Sequence, residues 1–261
     1  MALEKHWIAR GFSAAAVTYD AAAQIQYQAA LELLVQIEFS GVQPQRLLDV
    51  GCGTGRVTQE LAHYWQQPVI GIDCASGMIT YAQQQYAHPL IHYICSEIEK
   101  YSFEPDQYDL IFSNFALQWC EDLADVFKQL AYGLAQDGLL AFTLPGEQTL
   151  NELKSIWRGI DGYDHVNDFV SAVDLEQQLS AAGVQVISLT QEKKIHWHPD
   201  VQSIVRSLRG VGVHNVHNTR APGLTGKKQW QALMQAYEAY RVPNQGLPVT
   251  YDIISVIVKK G

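Results

Sequence analysis

Nine consecutive residues, Leu47-Leu48-Asp49-Val50-Gly51-Cys52-Gly53-Thr54-Gly55, carry the densest chemistry in the chain. Leu47, Leu48 and Val50 suit a strand buried on both faces. The glycines behind them let the backbone turn sharply and let a ligand approach it closely. Arg56-Val57-Thr58-Gln59-Glu60-Leu61-Ala62 then reads as a helix whose free N–H groups point back at the turn and favour a negatively charged group. The spacing is Gly-x-Gly-x-Gly, whereas a dinucleotide-binding turn is spaced Gly-x-Gly-x-x-Gly. Asp49, just ahead of Gly51, would repel a pyrophosphate but attract an ammonium. An acid beside a helix N-terminus therefore suits a zwitterionic amino acid better than a phosphate.

Two more acids stand where such a ligand, extended by a nucleoside, needs them. Pro68-Val69-Ile70-Gly71-Ile72-Asp73 reads as a second strand, and Asp73 at its end can accept hydrogen bonds from both hydroxyls of a ribose. Leu90-Ile91-His92-Tyr93-Ile94-Cys95 reads as a third, followed by Ser96-Glu97-Ile98-Glu99. An acid in that turn can accept an adenine amino hydrogen, and Glu97 lies nearer the strand end than Glu99. Gly51, Cys52, Gly53, Gly55, Cys74, Met78, Ile98, Asn114 and Phe115 are the expected remaining lining. The turn after the fourth strand (Tyr108–Phe112), Ser113-Asn114-Phe115-Ala116-Leu117-Gln118-Trp119-Cys120, offers Asn114 and Gln118, neutral polar groups that orient an acceptor without supplying a base. Trp119 reads as packing or as acceptor contact, and Tyr19 as a half-buried helix tyrosine or a group at the site.

These residues need a parallel sheet to gather them. Helices are expected over 7–39, 55–64, 76–87 (with Ser76 as N-cap), 121–134 and 174–182, with further strands at 138–144, about 184–196 and 251–258. The pattern predicts an α/β fold with a mostly parallel, Rossmann-like sheet, one antiparallel strand and helices on both faces. It divides into a helical segment 1–42, a core of 43–196 and 248–261, and a helical insertion of about 197–247. The insertion holds Arg206, Arg209, Arg220, Lys227, Lys228 and Arg241, broken at Gly210, Gly212, Pro222-Gly223 and Gly226. An insertion of this length at one end of a sheet is a candidate lid or docking surface.

Composition sets outer limits. The chain has 261 residues, 48% hydrophobic and 17% charged, which suits one globular α/β domain with insertions. No apolar run reaches the roughly 20 residues that span a bilayer, so no membrane role is expected, and Met1–Trp7 lacks the apolar core of a signal peptide. Cys52, Cys74, Cys95 and Cys120 form no Cys-x-x-Cys pair; they read as small buried residues in a reducing cytoplasm, and no metal site is expected. Net charge is −9, but residues 1–192 carry 8 Lys/Arg against 24 Asp/Glu (−16), and residues 193–261 carry 10 against 3 (+7). Such a split points to an acidic partner or to a solvated basic surface. No nucleic-acid-reading motif accompanies it, so nucleic acid is not expected.

The glycine turn with Asp49 resembles the first motif of class I S-adenosylmethionine-dependent methyltransferases. Three outlying segments resemble, more narrowly, the malonyl-acyl-carrier-protein O-methyltransferases of biotin synthesis: Phe12-Ser13-x-Ala15-Ala16-x-x-Tyr19-Asp20 with Gln26; Thr149-Leu150-x-Glu152-Leu153-x-x-x-Trp157 with Asp161 and His165-Val166-Asn167-x-Phe169; and Gly223-Leu224-Thr225-Gly226 with Gly246-Leu247-Pro248-Val249-Thr250-Tyr251-Asp252. Ala14 stands where that family often has Arg, and Arg209 where it often has Lys. The resemblance implies S-adenosyl-L-methionine as cofactor and methylation of the free carboxylate of a malonyl group on acyl carrier protein, an acidic partner for the basic insertion. A carboxylate is already ionised at neutral pH, so no general base is required. Tyr19, Arg206 and Arg209 are then the candidates to position that carboxylate, and Asn114, Gln118, Trp119 and His165 to contact the acceptor. A small-molecule carboxyl methyltransferase of the trans-aconitate type and a non-catalytic cofactor-binding protein are the alternatives.

Overall fold

The computed structural model describes residues 5–163, 165–211 and 226–260. Seven strands, β1 (Leu47–Val50), β2 (Val69–Asp73), β3 (Ile91–Cys95), β4 (Tyr108–Asn114), β5 (Leu134–Pro145), β6 (Val184–His198) and β7 (Leu247–Lys260), form one sheet in the order β3-β2-β1-β4-β5-β7-β6. β1 to β5 pair in parallel, and β7 runs antiparallel between β5 and β6. This is the expected sheet with its single reversed strand. Alternation along β1 divides the core. Leu48 and Val50 pack with Phe127 and Leu130 of α5 (Leu123–Gly133) and Leu175 and Leu179 of α7 (Ala172–Ala181). Leu47 faces the other way, onto Leu33 and Ile37 of α2 (Gln24–Phe39) and Leu61 of α3 (Arg56–Trp65). Each such leucine or isoleucine, fully withdrawn from water, contributes about 1.5–3 kcal/mol.

Several boundaries differ from expectation for identifiable reasons. The single helix over 7–39 is two, α1 (Lys5–Ala22) and α2, broken at Ala23, whose ψ of 39° leaves the helical region. The break lets α1 swing across the C-terminal ends of β1 and β2 while α2 lies along the sheet. Ser76 is not a cap: it is the first residue of α4 (Ser76–Gln85), and Ala75 precedes it without a side-chain cap. β6 and β7 run longer than their apolar pattern because they pair with each other beyond β5, as far as His198↔Leu247. The cysteines are not uniformly buried: Cys52 is, but Cys74 and Cys95 are exposed.

The outlying sequence segments build a cap over the β5–β7 end. α6 (Asn151–Ile160), α8 (Val201–Gly210) and α9 (Lys227–Tyr237) enclose a second core with Leu153, Ile156, Trp157, Ile204, Leu233 and Tyr237. Buried polar pairs fix its register. Thr149 donates its hydroxyl to the Asp252 carbonyl (3.0 Å) and accepts the Asp252 N–H (3.0 Å). The Glu152 carboxylate accepts from the N–H and hydroxyl of Thr250. Gly212, Pro222-Gly223 and Arg220 lie outside the described residues.

Candidate functional site

The sheet ends, the glycine turn and α1 enclose one cavity with two lobes that share Tyr19, Gly51, Gly53 and Asn114. The glycines of the turn have distinct reasons. Gly51 has φ +73°, and a Cβ there would lie 2.1 Å from the Ala116 Cβ; Gly55 has φ +86°, and a Cβ would meet the Tyr93 hydroxyl at 2.4 Å. Gly53 faces open space. Gly55 thus serves packing against Tyr93, and it does not line the cavity as expected. Four of the turn's N–H groups are spent within the protein: those of Gly51 and Cys52 on the Ile72 carbonyl, that of Gly55 on the Cys52 carbonyl, and that of Gly53 on Asp73. With those N–H groups spent, the expected anion attraction rests on the first turn of α3 and on side chains.

The larger lobe is lined by Gly51, Gly53, Asp73, Cys74, Met78, Glu97, Ile98, Asn114, Phe115 and Trp119, which brings together most of the expected residues. Asp73 is held in place by the N–H groups of Gly53 (2.9 Å) and Ala75 (2.8 Å). Burial raises its carboxyl pKa and those two donors lower it, with burial prevailing. Each carboxylate oxygen keeps a second lone pair for a ligand. The α1 side supplies residues that sequence reasoning passed over: Lys5, Ile8 and Phe12 line this lobe, and Lys5 pairs with Glu99. Their spacing of three and four residues along one helix was the signal that could have found them. The indole of Trp119 packs edge-on to Phe12 (5.7 Å), and its buried N–H has no partner among the described residues.

The smaller lobe holds Asp49 and Cys52. Asp49 is 2% exposed and accepts from the Thr58 hydroxyl at 2.6 Å. Burial pushes its carboxyl up to about 7, the Thr58 hydrogen bond offsets part of that, and Asp73 adds repulsion. Cys52 turns its thiol into a small core with Ile79, Ala82 and Tyr93, so it lines the lobe without being reactive. Asn114 donates to the Gln26 carbonyl (3.1 Å) and accepts from Thr143 (2.7 Å). Tyr19 makes no hydrogen bond through its hydroxyl among the described residues, and burial first, then Asp73 and Asp20, raise its pKa and keep it protonated.

Four expected site residues lie elsewhere. Arg206 and Arg209 are exposed on α8 and line an open groove of about 680 Å³ against Gly11, Ala14, Ala15 and Thr18 of α1, whereas Tyr19 lines the enclosed cavity. The structure does not bring Tyr19 and these arginines into one cavity. His165 stacks on Trp157 (3.9 Å) with its Nε2 about 3.0 Å from Asp161, inside the cap. Gln118 donates to the Phe115 carbonyl at 2.7 Å, outside both lobes.

The fold and this site place the chain in a class. Residues 48–142 match a family model described as a methyltransferase domain. The structure resembles the YcgJ protein from Bacillus subtilis (TM-score 0.60, 17% identity, covering 87% of this chain and 97% of that one). It also resembles the [4+2]-cyclase SpnF (TM-score 0.53, 18% identity, 82% and 75%). The second likeness shows that the fold alone does not fix the chemistry. Full-length relatives are more specific: the malonyl-[acyl-carrier protein] O-methyltransferases of Gallionella capsiferriformans (33% identical, covering 97% of this chain and 89% of that protein) and Methylococcus capsulatus (33%, 98% and 94%). The biotin biosynthesis bifunctional protein of Cellvibrio japonicus is 35% identical over 99% of this chain, which spans about half of that protein's length. The chain belongs to the malonyl-[acyl-carrier protein] O-methyltransferase family.

The cofactor of this class is S-adenosyl-L-methionine, and the donor set fits it. The buried carboxylate of Asp49 suits the ammonium, Asp73 the ribose, and Glu97 with the orphaned Trp119 N–H suits an adenine, which both donates and accepts. Trp119 is thus better explained on the cofactor side than as an acceptor contact.

Proposed function

We propose that this protein methylates the free carboxylate of a malonyl group carried on acyl carrier protein, in the route to biotin. One observation carries the reading: neither lobe of the cavity is lined by a histidine, and the carboxylates that line them already accept from the protein, Asp49 from Thr58, Asp73 from Gly53 and Ala75, Asp20 from Thr54 and Tyr86, Glu97 from Lys100 and Glu99 from the Glu121 N–H. Among the described residues no lining histidine or unpartnered carboxylate offers itself as a base, and an acceptor that arrives ionised, as a carboxylate does, suits such a site best. Bound S-adenosylmethionine supplies an activated methyl group with its own leaving group. The protein's part is alignment and exclusion of water. Tyr19, protonated and without a hydroxyl partner among the described residues at the shared wall of the two lobes, donates to one acceptor oxygen and leaves the other free. Phe12, Phe115 and Leu117 keep the surroundings dry.

The carrier reading draws on the names of the relatives and on charge. Of the ten basic residues after position 192, Lys194 pairs with Glu32, Arg241 with Glu238, Lys259 with Asp137 and Lys260 with Asp106. Arg206 and Arg209 make no ion pair among the described residues and remain free for an acidic partner. In place of clamping the malonyl carboxylate, they dock the carrier on the far side of α1. The four free cysteines, two of them exposed, suit a reducing cytoplasm. The test is intact mass spectrometry of malonyl-carrier protein after incubation with enzyme and S-adenosylmethionine. A gain of one methyl group, lost when unloaded carrier or acetyl-carrier replaces it, supports the assignment; methylation of free dicarboxylic acids with none on the carrier overturns it.

A further inference from the structure

The smaller lobe presents a mismatch. A cofactor that ends in an amino acid brings an ammonium and a carboxylate, yet the acids there, Asp49 and Asp20, suit only the first, and four N–H groups of the glycine turn are already spent. One cation lines the lobe, Arg56, the first residue of α3. Its guanidinium carbon lies over the Tyr27 ring, 3.4 Å from the centroid, with a contact to the Tyr27 hydroxyl, and Nη1 is a long 3.5 Å from the Asp20 carbonyl. The neighbouring carboxylates do not neutralise it. Asp20 accepts from Thr54 (2.6 Å) and Tyr86 (2.7 Å), and Glu60 accepts from the Tyr27 hydroxyl (2.7 Å). Arg56 makes no ion pair among the described residues. A half-buried guanidinium held by stacking on one face keeps its edge donors free for a planar, bidentate acceptor.

We infer that Arg56 is the residue that holds the carboxylate of the cofactor's methionine end, opposite Asp49, so that the lobe recognises a zwitterion through one charge on each side. Tyr27 and the Asp20 carbonyl fix the guanidinium plane, and Thr54 and Tyr86 hold Asp20 so that it cannot swing over and pair with Arg56. The same arrangement discriminates against a cofactor lacking the carboxylate, because the guanidinium would then remain partly desolvated and unpaired.

Binding, without turnover, tests this. Calorimetry compares S-adenosylhomocysteine with its decarboxylated counterpart, on the wild type and on Arg56→Met. The wild type should bind the decarboxylated ligand about tenfold or more weakly, as expected for loss of a charge-assisted pair. Arg56→Met should weaken S-adenosylhomocysteine by a similar factor and leave the decarboxylated ligand within about twofold, which also shows that the variant is folded. Arg56→Lys, which keeps the charge but loses the planar fork, should fall between and serves if the methionine variant does not fold. Equal weakening of both ligands would mean that Arg56 acts only through the seat of α1 on α3. No weakening of either would place the carboxylate elsewhere, and both outcomes overturn the inference.

Discussion

The two faces of α1 differ in burial and charge, and under the function proposed above they take different ligands. The face turned to the sheet carries Ile8, Phe12 and Tyr19 over a cavity whose carboxylates are buried and already oriented by backbone N–H groups and a threonine. The face turned to α8 carries Gly11, Ala14, Ala15 and Thr18 along an open groove edged by Arg206 and Arg209, which make no ion pair among the described residues. The first is preorganised for a small molecule, with desolvation already built into the fold. The second is exposed, screened by salt, and suited to steering a macromolecule. On the proposed function, one helix would separate affinity from encounter, and substitutions on each face test the two roles separately.

The largest effect belongs to Asp73. Its replacement by alanine would remove the charged acceptor that the proposed site offers two ribose hydroxyls, each such bond being worth about 1.5–3 kcal/mol. S-adenosylmethionine affinity should fall by at least about 100-fold by calorimetry. An unchanged affinity would remove the inner face from the cofactor assignment. The variant should also lose stability, because the N–H groups of Gly53 and Ala75 lose their acceptor.

The turn itself gives the next test. Gly51→Ala and Gly53→Ala share the cost of a left-handed residue, about 1–2 kcal/mol, but only at position 51 does a Cβ collide with Ala116. Gly51→Ala should therefore be less stable than Gly53→Ala by a further 1–3 kcal/mol or so in denaturant unfolding. Equal midpoints would mean that the Ala116 segment yields freely.

How much of this was legible in the sequence depended on whether local pattern or distant packing decided a residue's role. The gathering of Asp49, Asp73 and Glu97 around the cavity could be read because strand ends and glycines fix them by local chain geometry. Gly55 could not, since its reason is Tyr93, two strands away in the sheet. The outlying segments identified the family, yet the work of their residues was invisible. Thr149 with Asp252 and Glu152 with Thr250 join positions about 100 apart, and His165 stacks on Trp157 inside the cap. Arg206 and Arg209 were read as basic residues of an insertion, and the structure places them on α8. Their separation from Tyr19 required knowing that the helix over 7–39 breaks at Ala23 and that α8 packs on its outer side.

Asp49 supplies a pH signature for the inner face alone. With its carboxyl pushed up to about 7 by burial, the free site takes up a proton below that pH, whereas the cofactor's ammonium needs the ionised form. Binding must then release a proton, and affinity must fall as pH falls through 7, by about tenfold between pH 8 and pH 6. In the absence of ligand the sign is opposite: the raised pKa makes Asp49 a cost to folding that grows as pH rises from about 4 to 7. Calorimetry in two buffers of different ionisation enthalpy reads the proton directly. A pH-independent dissociation constant with no proton release would show that the ammonium is held elsewhere.

The smallest effect belongs to the outer face, and it discriminates between a docking surface and an idle one. Reversing Arg206 and Arg209 to glutamate should slow association with malonyl-carrier protein about three- to fivefold at low salt, since rim charges act chiefly on encounter. Cofactor affinity should not change, because neither residue lines the inner cavity. The deficit should close as salt approaches about 0.5 M, where the screening length drops below the separation of the two surfaces. A small malonyl thioester has no acidic surface to steer, so wild type and variant should handle it alike at every salt concentration. The measurement is kcat/KM for both substrates across the salt series. If the variant loses equally on both substrates, the arginines act through α1 on the inner face, and the division between affinity and encounter fails. If neither substrate responds, the unpaired charges of α8 are only solvated, and the carrier docks on another face.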